Sequence, residues 1–179
     1  MNNCIICNFY SPNIKLINKN PVCESCYNQQ QNLLKSYKNK KILHPDFSEI
    51  IPNKLFISNS DFAQEKSNLL SHKITHILLC GEELGILFPN DFVYFKINLH
   101  DWEEDSIIPY INETNNFIKN SNIVLVHCNA GVSRSPSIVI AYLIKEKKMN
   151  FDDAFKLVKN KRKIIKPNET FIKELKSLK

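Results

Sequence analysis

The sequence IVLVHCNAGVSRSPS, at residues 123–137, carries the strongest structural signal in the chain. Its first four residues are apolar and mostly β-branched, which is typical of a buried strand. From Ser135 onward, SPSIVIAYLIKEKK predicts a helix with an apolar face. A tight loop between a strand and a helix start aims backbone N–H groups and the positive helix end at one point. This arrangement predicts an anion site.

A reactive side chain lies at each end of this loop. Cys128 begins it and Arg134 closes it, with five residues between them, so both can face the same small anion, such as a phosphate. A site that binds a phosphoryl group also stabilises a thiolate, so Cys128 is predicted to be a nucleophile. Arg134 offers a planar, two-pronged donor to phosphoryl oxygens, and this contact strengthens as charge builds in the transition state.

The remaining loop residues support the same chemistry. Gly131 permits a positive φ or a close backbone approach, and Ser135 can donate its hydroxyl to the sulfur of Cys128 as that sulfur departs. The alternative is a buried core cysteine beside a surface arginine. It would require all of these residues to fall at matching positions between the strand and the helix by chance. A nucleotide P-loop is excluded because the G-x-x-x-x-G-K-[ST] pattern is absent. The predicted phosphate-binding residues are Asn129, Ala130, Gly131, Val132, Ser133 and Arg134.

HCNAGVSRS, at 127–135, resembles the H-C-x-x-G-x-x-R-[ST] signature of cysteine-based phosphatases, and AGVSRS is similar to the dual-specificity branch. The resemblance covers residues 42–179, through EIIPNKLFISN (49–59), ITHILLC (74–80), FKINLHDWEED (95–105), AYLI (141–144) and AFKLVKNKRKIIKPNETFIKEL (154–175). It implies hydrolysis of phosphotyrosine and of phosphoserine or phosphothreonine in proteins, through a phosphocysteine intermediate. It implies no cofactor for catalysis.

Cleavage of a phosphomonoester also needs an acid to protonate the leaving oxygen, and its carboxylate can later activate water. Asp101 is the candidate because it lies just past a predicted strand, 27 residues before Cys128. The resemblance places the family acid at the same point. Asp105 is the alternative, and Glu103 and Glu104 are expected to be solvated charges.

Three further residues are expected to support the loop. His127 is predicted to hydrogen-bond the backbone and hold the loop in place. Asn168 and Arg162 match the closing pattern of the family and are expected to brace the loop. Cys80 is predicted to be buried at the end of a strand, with a regulatory disulfide to Cys128 as the alternative.

The repeated alternation of strand and helix patterns along the chain predicts an α/β fold. Its central sheet is expected to be mostly parallel and flanked by helices, with the site at the carboxyl ends of strands. Strands are predicted over 54–58, 74–80, 93–99 and 123–126. Helices are predicted over 61–72, capped by Ser60 or Asp61, over 108–120, from Ser135, from Asn150 or Asp152 to Arg162, and over 169–178.

Four other cysteines form two C-x-x-C pairs, Cys4 with Cys7 and Cys23 with Cys26, separated by fifteen residues. This spacing predicts a four-thiolate structural zinc site. Two disulfides are the alternative, which the reducing compartment needed by a reactive Cys128 disfavours. Residues 1–41 are therefore predicted to form a zinc-binding module with a linker helix, and residues 42–179 the phosphatase catalytic domain.

The net charge is +6, and residues 1–41 hold six lysines against one acid. Nucleic-acid binding by this segment is poorly supported, since one aromatic pair, Phe9 and Tyr10, lies between the cysteine pairs. No secretory signal or membrane span is evident, so a location in the cytoplasm or nucleus is expected. The chain is also expected to be a monomer.

Three functions are compatible with these patterns. The first is a phosphatase acting on phosphoproteins. The second is a phosphatase of RNA 5′-phosphate, a phosphoinositide or a phosphoglycan, although the absence of lysine from the loop disfavours phosphoinositides. The third is a phosphopeptide-binding scaffold, which an intact Cys128, Arg134 and Asp101 disfavour.

Overall fold

The computed structural model describes residues 12–17, 20–28 and 46–178. The chain divides into two compact units, Met1–Leu43 and His44–Lys179. In the first unit, strands β1 (Ile14–Ile17) and β2 (Asn20–Cys23) form an antiparallel hairpin with Ile14 opposite Cys23. Residues 24–28, which follow this hairpin, are helical.

The second unit contains a five-stranded sheet. Its strands are β3 (Phe47–Ile51), β4 (Leu55–Ser58), β5 (His76–Cys80), β6 (Val93–Ile97) and β7 (Val124–His127). They lie in the order β3-β4-β7-β5-β6. Strand β3 is antiparallel to β4, and every other pairing is parallel. The sheet is therefore mixed, and the carboxyl ends of its four parallel strands meet at one edge.

Helices pack on both faces of this sheet. They are α1 (Ser60–Gln64), α2 (Lys66–Ser71), α3 (Ile111–Asn120), α4 (Arg134–Lys147), α5 (Phe151–Lys161) and α6 (Glu169–Ser177), with a 3-10 turn at Ile108–Tyr110 before α3. A hydrophobic core lies on each face of the sheet, and alternate residues of β5 point into opposite cores. Ile77 and Leu79 pack in the core on the side of α1 and α2, and Leu78 and Cys80 pack in the core on the side of α3 to α6. This alternation is the period of two that a strand imposes.

Strand β7 occupies the centre of the sheet, and all four of its residues are buried. Leu125 joins the core on one face, and Val124 and Val126 join the core on the other. A strand covered on both faces needs apolar residues at nearly every position, which is why this run does not alternate. The residue after β7 is Cys128, so the sheet delivers it to the carboxyl edge.

The predicted α/β fold with flanking helices is confirmed. Residues 47–51 form a separate strand that the sequence patterns did not predict, and it makes the sheet mixed. The predicted helix over 61–72 is interrupted at Glu65, whose backbone is extended with φ −97° and ψ 104°. The predicted cap was wrong, because the residue that caps α1 is Asn59, whose Oδ1 accepts a hydrogen bond from Phe62 N at 2.9 Å.

Within residues 12–17, 20–28 and 46–178, the structure has no helix that is both long enough and apolar enough to cross a membrane.

Candidate active site

The site is built around the Cys128 loop, residues 128–133, which joins the end of β7 to the start of α4. Cys128 is buried, with 3% of its surface exposed. Its Sγ accepts hydrogen bonds from Gly131 N and from Ser135 Oγ, each at 3.2 Å. Both donors aim a positive hydrogen at the sulfur and fix its position in the loop.

The carbonyl groups of the Cys128 loop are bound from outside the loop. Two of the donors are backbone N–H groups, Ser60 N to Asn129 O at 2.9 Å and Lys166 N to Val132 O at 2.8 Å. The others are side chains: Arg162 Nη2 donates to Ala130 O at 3.3 Å, Arg162 Nε to Gly131 O at 2.7 Å, and Ser137 Oγ to Ser133 O at 2.8 Å. In a trans peptide the N–H points opposite to the C=O. Carbonyls that are bound outward therefore leave N–H groups facing the inside of the loop, where an anion can accept from them.

Arg134 is the first residue of α4, and its guanidinium lies almost buried. Its Nη1 donates to Leu99 O at 3.2 Å and pairs with Glu83 Oε1 at 2.6 Å. The buried Nε has no hydrogen-bond partner among the described residues. One side of the guanidinium is thus held by the protein, and Nε remains able to donate to a bound oxyanion.

Arg162 supports the Cys128 loop from behind. It is 1% exposed and also donates from Nη1 to Ser48 Oγ at 3.3 Å, which ties the loop to β3. Burial lowers the pKa of Arg162, and the negative charges of Cys128 and Asp46 oppose this shift. The predicted bracing role agrees with these contacts.

Gly131 has φ +65°, a conformation that L side chains rarely adopt. A Cβ at this position would lie 2.6 Å from Ser58 O and 2.6 Å from Arg162 Nη2. Glycine therefore meets two requirements here, a left-handed backbone and a close approach to strand β4.

Asp101 lies at the end of the Cys128 loop. Its Oδ1 accepts hydrogen bonds from Ser133 Oγ at 2.6 Å and from Asn168 Nδ2 at 3.0 Å. Asn168 N in turn donates to Ser133 Oγ at 3.1 Å, and Asn168 Oδ1 caps α6 by accepting from Phe171 N at 2.9 Å. Ser133 and Asn168, which are distant from Asp101 in sequence, thus fix its carboxylate at the end of the Cys128 loop.

Asp105 has different partners. Its Oδ2 accepts from His100 N at 2.7 Å and lies 3.1 Å from His100 Nδ1. The His100 ring stacks on Trp102 at 4.5 Å and also reaches Glu82 Oε2 at 2.9 Å. These contacts brace the Asp101 loop, residues 100–105, and they distinguish Asp105 from Asp101, which contacts the Cys128 loop itself.

Comparisons with known proteins agree with this geometry. A family model described as dual specificity phosphatase, catalytic domain, matches residues 55–179. Dual specificity protein phosphatase 1 of Arabidopsis thaliana is 35% identical over 160 residues, which are 87% of this chain and 81% of that protein. The chain belongs to the dual specificity phosphatase family.

Other similarities cover the same phosphatase domain. A probable rhodanese domain-containing dual specificity protein phosphatase of Dictyostelium discoideum is 38% identical over 72% of this chain, which spans only 28% of that relative. The crystal structure of DUSP15 is 32% identical, with a TM-score of 0.68 over 73% of this chain and 85% of that one. That of a human tyrosine phosphatase-like serine/threonine/tyrosine-interacting protein is 34% identical, with a TM-score of 0.67 over 72% and 92%.

Two buried groups of the phosphatase domain are kept uncharged by their surroundings. Burial lowers the pKa of His127 from 6.5 to about 4, so its ring is neutral at physiological pH. Burial and the charge of Cys128 raise the pKa of the Cys80 thiol well above its usual value. Cys80 is fully buried, as predicted.

Glu83 was not singled out from the sequence, although it pairs with Arg134. Its position three residues after β5, at the carboxyl edge of the sheet, is the signal that could have found it. Gly81 allows this approach, because a Cβ there would lie 2.5 Å from Arg134 Nη1.

Of the four predicted zinc ligands, Cys4 and Cys7 lie outside the described residues. Cys26 N donates to Cys23 Sγ at 3.5 Å in the helical segment that follows β2. Within the described ranges, no group of three or more histidine, cysteine or acidic side chains could hold a metal ion.

We predict that His127 makes the fold sensitive to acid. Between pH 6.5 and 4 the unfolded chain binds more protons than the folded chain, so the free energy of unfolding falls as the pH falls through this window. The free energy of unfolding can be measured by urea titration at pH 7 and at pH 4.5. Its decrease between these two pH values should be about 2.5 kcal/mol smaller in His127→Gln than in wild type. His72→Gln, at an exposed ring, should keep the wild-type dependence; equal losses in all three proteins would contradict the prediction.

We also predict opposite effects of alanine at two glycines. Gly131→Ala should lower the free energy of unfolding by about 2 kcal/mol or more, because the left-handed backbone and the contact with Ser58 O both exclude a Cβ. Gly85→Ala should leave it unchanged or raise it by up to about 1 kcal/mol, since the nearest atom to its Cβ would be Leu87 Cδ2 at 3.9 Å. Urea titration measures both, and equal effects would show that the loop tolerates a side chain.

Proposed function

We propose that this chain is a protein phosphatase that removes phosphate from phosphotyrosine and from phosphoserine or phosphothreonine. The observation that carries the proposal is the convergence of three groups on the Cys128 loop, namely the doubly hydrogen-bonded sulfur of Cys128, the guanidinium of Arg134 and the carboxylate of Asp101. A nucleophile, an oxyanion donor and an acid are the groups that this hydrolysis requires.

In the first step, the Cys128 thiolate attacks phosphorus and the bond from phosphorus to the substrate oxygen breaks. The loop N–H groups and Arg134 stabilise the phosphoryl oxygens, and Asp101 gives its proton to the departing oxygen. In the second step, the Asp101 carboxylate removes a proton from water as that water attacks the phosphocysteine. The sulfur leaves as a thiolate, to which Ser135 donates, and inorganic phosphate is released.

Positioning roles follow from the same contacts. Asn129, Ala130, Gly131, Val132, Ser133 and Arg134 would surround the phosphate. The carbonyls of residues 129–133 are bound elsewhere, which turns the backbone N–H groups of the residues that follow them, 130–134, toward the anion. His127 and Asn168 would hold the loop, the first as a neutral buried ring at the end of β7 and the second through Ser133 and Asp101. No cofactor takes part in any of these steps.

The charges around the site favour a protein substrate over a polyanion. Exposed carboxylates in the segments that approach the loop include Glu82 on one side and Asp101, Glu103 and Glu104 on the other, and Glu83 is paired with Arg134. The Cys128 loop itself contains no lysine, and Lys166, whose N donates to Val132 O, is an exposed base beside it. These carboxylates repel the additional phosphates of RNA 5′-triphosphate or of a phosphoinositide. The relatives described as dual specificity protein phosphatases support the same choice.

Phosphopeptide binding without turnover is the second candidate. The similar human structure is described as phosphatase-like and as an interacting protein. The intact set of Cys128, Arg134 and Asp101 favours catalysis in the present chain.

We further propose that residues 1–41 form a separate module in which Cys4, Cys7, Cys23 and Cys26 bind zinc, followed by the catalytic domain at 42–179. The hairpin β1-β2 and the N–H donated by Cys26 to the sulfur of Cys23 support this, since such turns orient thiolates toward one metal ion. Thiolates at these positions and at Cys128 need a reducing compartment, which favours the cytoplasm or nucleus. The chain would act as a monomer on phosphoproteins; binding of nucleic acid by the lysines of the module is less well supported.

The catalytic assignments predict a graded set of losses. Wild type should hydrolyse phosphotyrosine and phosphothreonine peptides faster than RNA 5′-triphosphate or a phosphoinositide. Cys128→Ser should abolish turnover, and Asp101→Asn should lower kcat by about 10²-fold or more. Asp105→Asn is the matched control and should cost less than about tenfold, since Asp105 braces the loop through His100.

Leaving-group dependence gives a sharper readout of the acid. An aryl phosphate with a strongly acidic phenol needs little protonation, so Asp101→Asn should slow it much less than a phosphothreonine peptide. A larger loss in Asp105→Asn than in Asp101→Asn would reverse the assignment. If wild type binds phosphopeptides but does not hydrolyse them, the result would favour the binding function instead.

The zinc proposal predicts about one zinc ion per full-length chain by inductively coupled plasma mass spectrometry, and its loss in the double variant Cys23→Ser, Cys26→Ser. Thiol titration of the unfolded chain with a chelator separates zinc from disulfides. All six cysteines should react if they were metal-bound or free. Two reactive thiols would instead indicate two disulfides and would overturn the proposal.

A further inference from the structure

A cavity of about 200 Å³ lies beside the Cys128 loop, at the carboxyl edge of the sheet and on the α1 side. Its apolar walls come from Ala63 of α1, Ile77 of β5, Tyr94 of β6, and Leu84 and Leu87 of the segment after β5. None of the catalytic steps above uses this space. Polar walls come from Ser60, Gln64, Glu83, His127 and Asn129. A concave site that combines apolar walls with placed polar groups is the usual form of a ligand site.

The cavity borders the catalytic site, with which it shares two residues. Asn129, which directly follows Cys128, lines the cavity and accepts hydrogen bonds from Ser60 N at 2.9 Å and Ser60 Oγ at 3.0 Å. Glu83 also lines it and pairs with Arg134 at 2.6 Å. A substrate whose phosphate lies in the Cys128 loop therefore has its flanking residues near the cavity, since each residue of an extended chain advances about 3.3 to 3.6 Å.

Two exposed apolar residues lie at the cavity or next to it in the chain, of which Leu87 belongs to the lining. Leu87 is 50% exposed, and its neighbour Ile86 is 49% exposed. Exposed apolar residues grouped at a concave site mark contact with another molecule. The size also fits a side chain, because a dry apolar cavity of about 150 Å³ engineered in another protein holds benzene.

We propose that this cavity binds an apolar side chain of the protein substrate, such as leucine, methionine or phenylalanine, within two residues of the phosphorylated residue. The proposal rests on the proposed phosphatase function and adds a sequence preference to it. The walls Ala63, Leu84 and Leu87 bury the apolar side chain, and Asn129 and Ser60 lie at the boundary with the phosphate position. Glu83, already paired with Arg134, separates the two subsites.

The test uses phosphotyrosine peptides that carry leucine or alanine at each of the two positions on either side of the phosphorylated residue. A small phosphoester, phenyl phosphate, serves as a substrate without flanking residues. The variants are Leu87→Ala, which removes one wall, and Gly85→Leu, which adds a side chain to the lining. Leu70→Ala, at a 55% exposed leucine outside the cavity lining, is the matched control.

We expect wild type to favour leucine over alanine at one flanking position by about 5- to 20-fold in kcat/KM. Leu87→Ala and Gly85→Leu should reduce this preference to about twofold or less, while Leu70→Ala should retain it. Activity on phenyl phosphate should fall by less than about twofold in Leu70→Ala.

Two results would overturn the inference. One is hydrolysis of phenyl phosphate and of all peptides by wild type with no preference above twofold at any position. The other is a preference that survives in both cavity variants, which would place the subsite elsewhere. Failure of wild type to hydrolyse any phosphoester would instead count against the phosphatase function itself, so the two failures are distinguishable.

Discussion

The outward binding of the carbonyls in the Cys128 loop is the constraint on which the rest of the site depends. A loop of six residues can present its N–H groups to an anion only if its carbonyl groups have partners elsewhere, since a buried carbonyl without a partner costs about 1–3 kcal/mol. Arg162 supplies two of those partners, and the backbone N–H groups of Ser60 and Lys166 supply two more. The anion site is therefore created by residues that never touch the anion.

These partners explain why so much of the chain is needed for so small a site. Ser60 begins the helix after β4, Arg162 follows α5, and Lys166 precedes α6, so three separate elements must pack before the loop is fixed. Arg162 can stay charged while buried because it donates to Gly131, Ala130 and Ser48 and lies near the charges of Cys128 and Asp46. A buried arginine with so many acceptors fixes geometry well, since its planar group has only one way to satisfy them all.

The sequence predicted the strand, loop and helix around Cys128 because all the information for them is local. Asp101 could also be singled out as a candidate, since it lies four residues past β6, at the carboxyl edge of the sheet. The strand at 47–51 was missed because its burial depends on pairing with β4, which no local pattern reports. Glu83 was missed for a similar reason: its contact with Arg134 joins segments 51 residues apart and requires Gly81 to leave room for the guanidinium.

The link between Asp101 and Ser133 ties the proposed acid to the loop that would bind the phosphate. Ser133 donates to the Asp101 carboxylate at 2.6 Å while accepting from Asn168 N, so one hydroxyl joins the Asp101 loop, the Cys128 loop and the start of α6. Asn168 Nδ2 donates to the same carboxylate oxygen at 3.0 Å. The carboxylate is therefore held in place before any substrate binds. A group that is fixed in advance needs no rearrangement during the reaction, which is how preorganised polar groups contribute to catalysis.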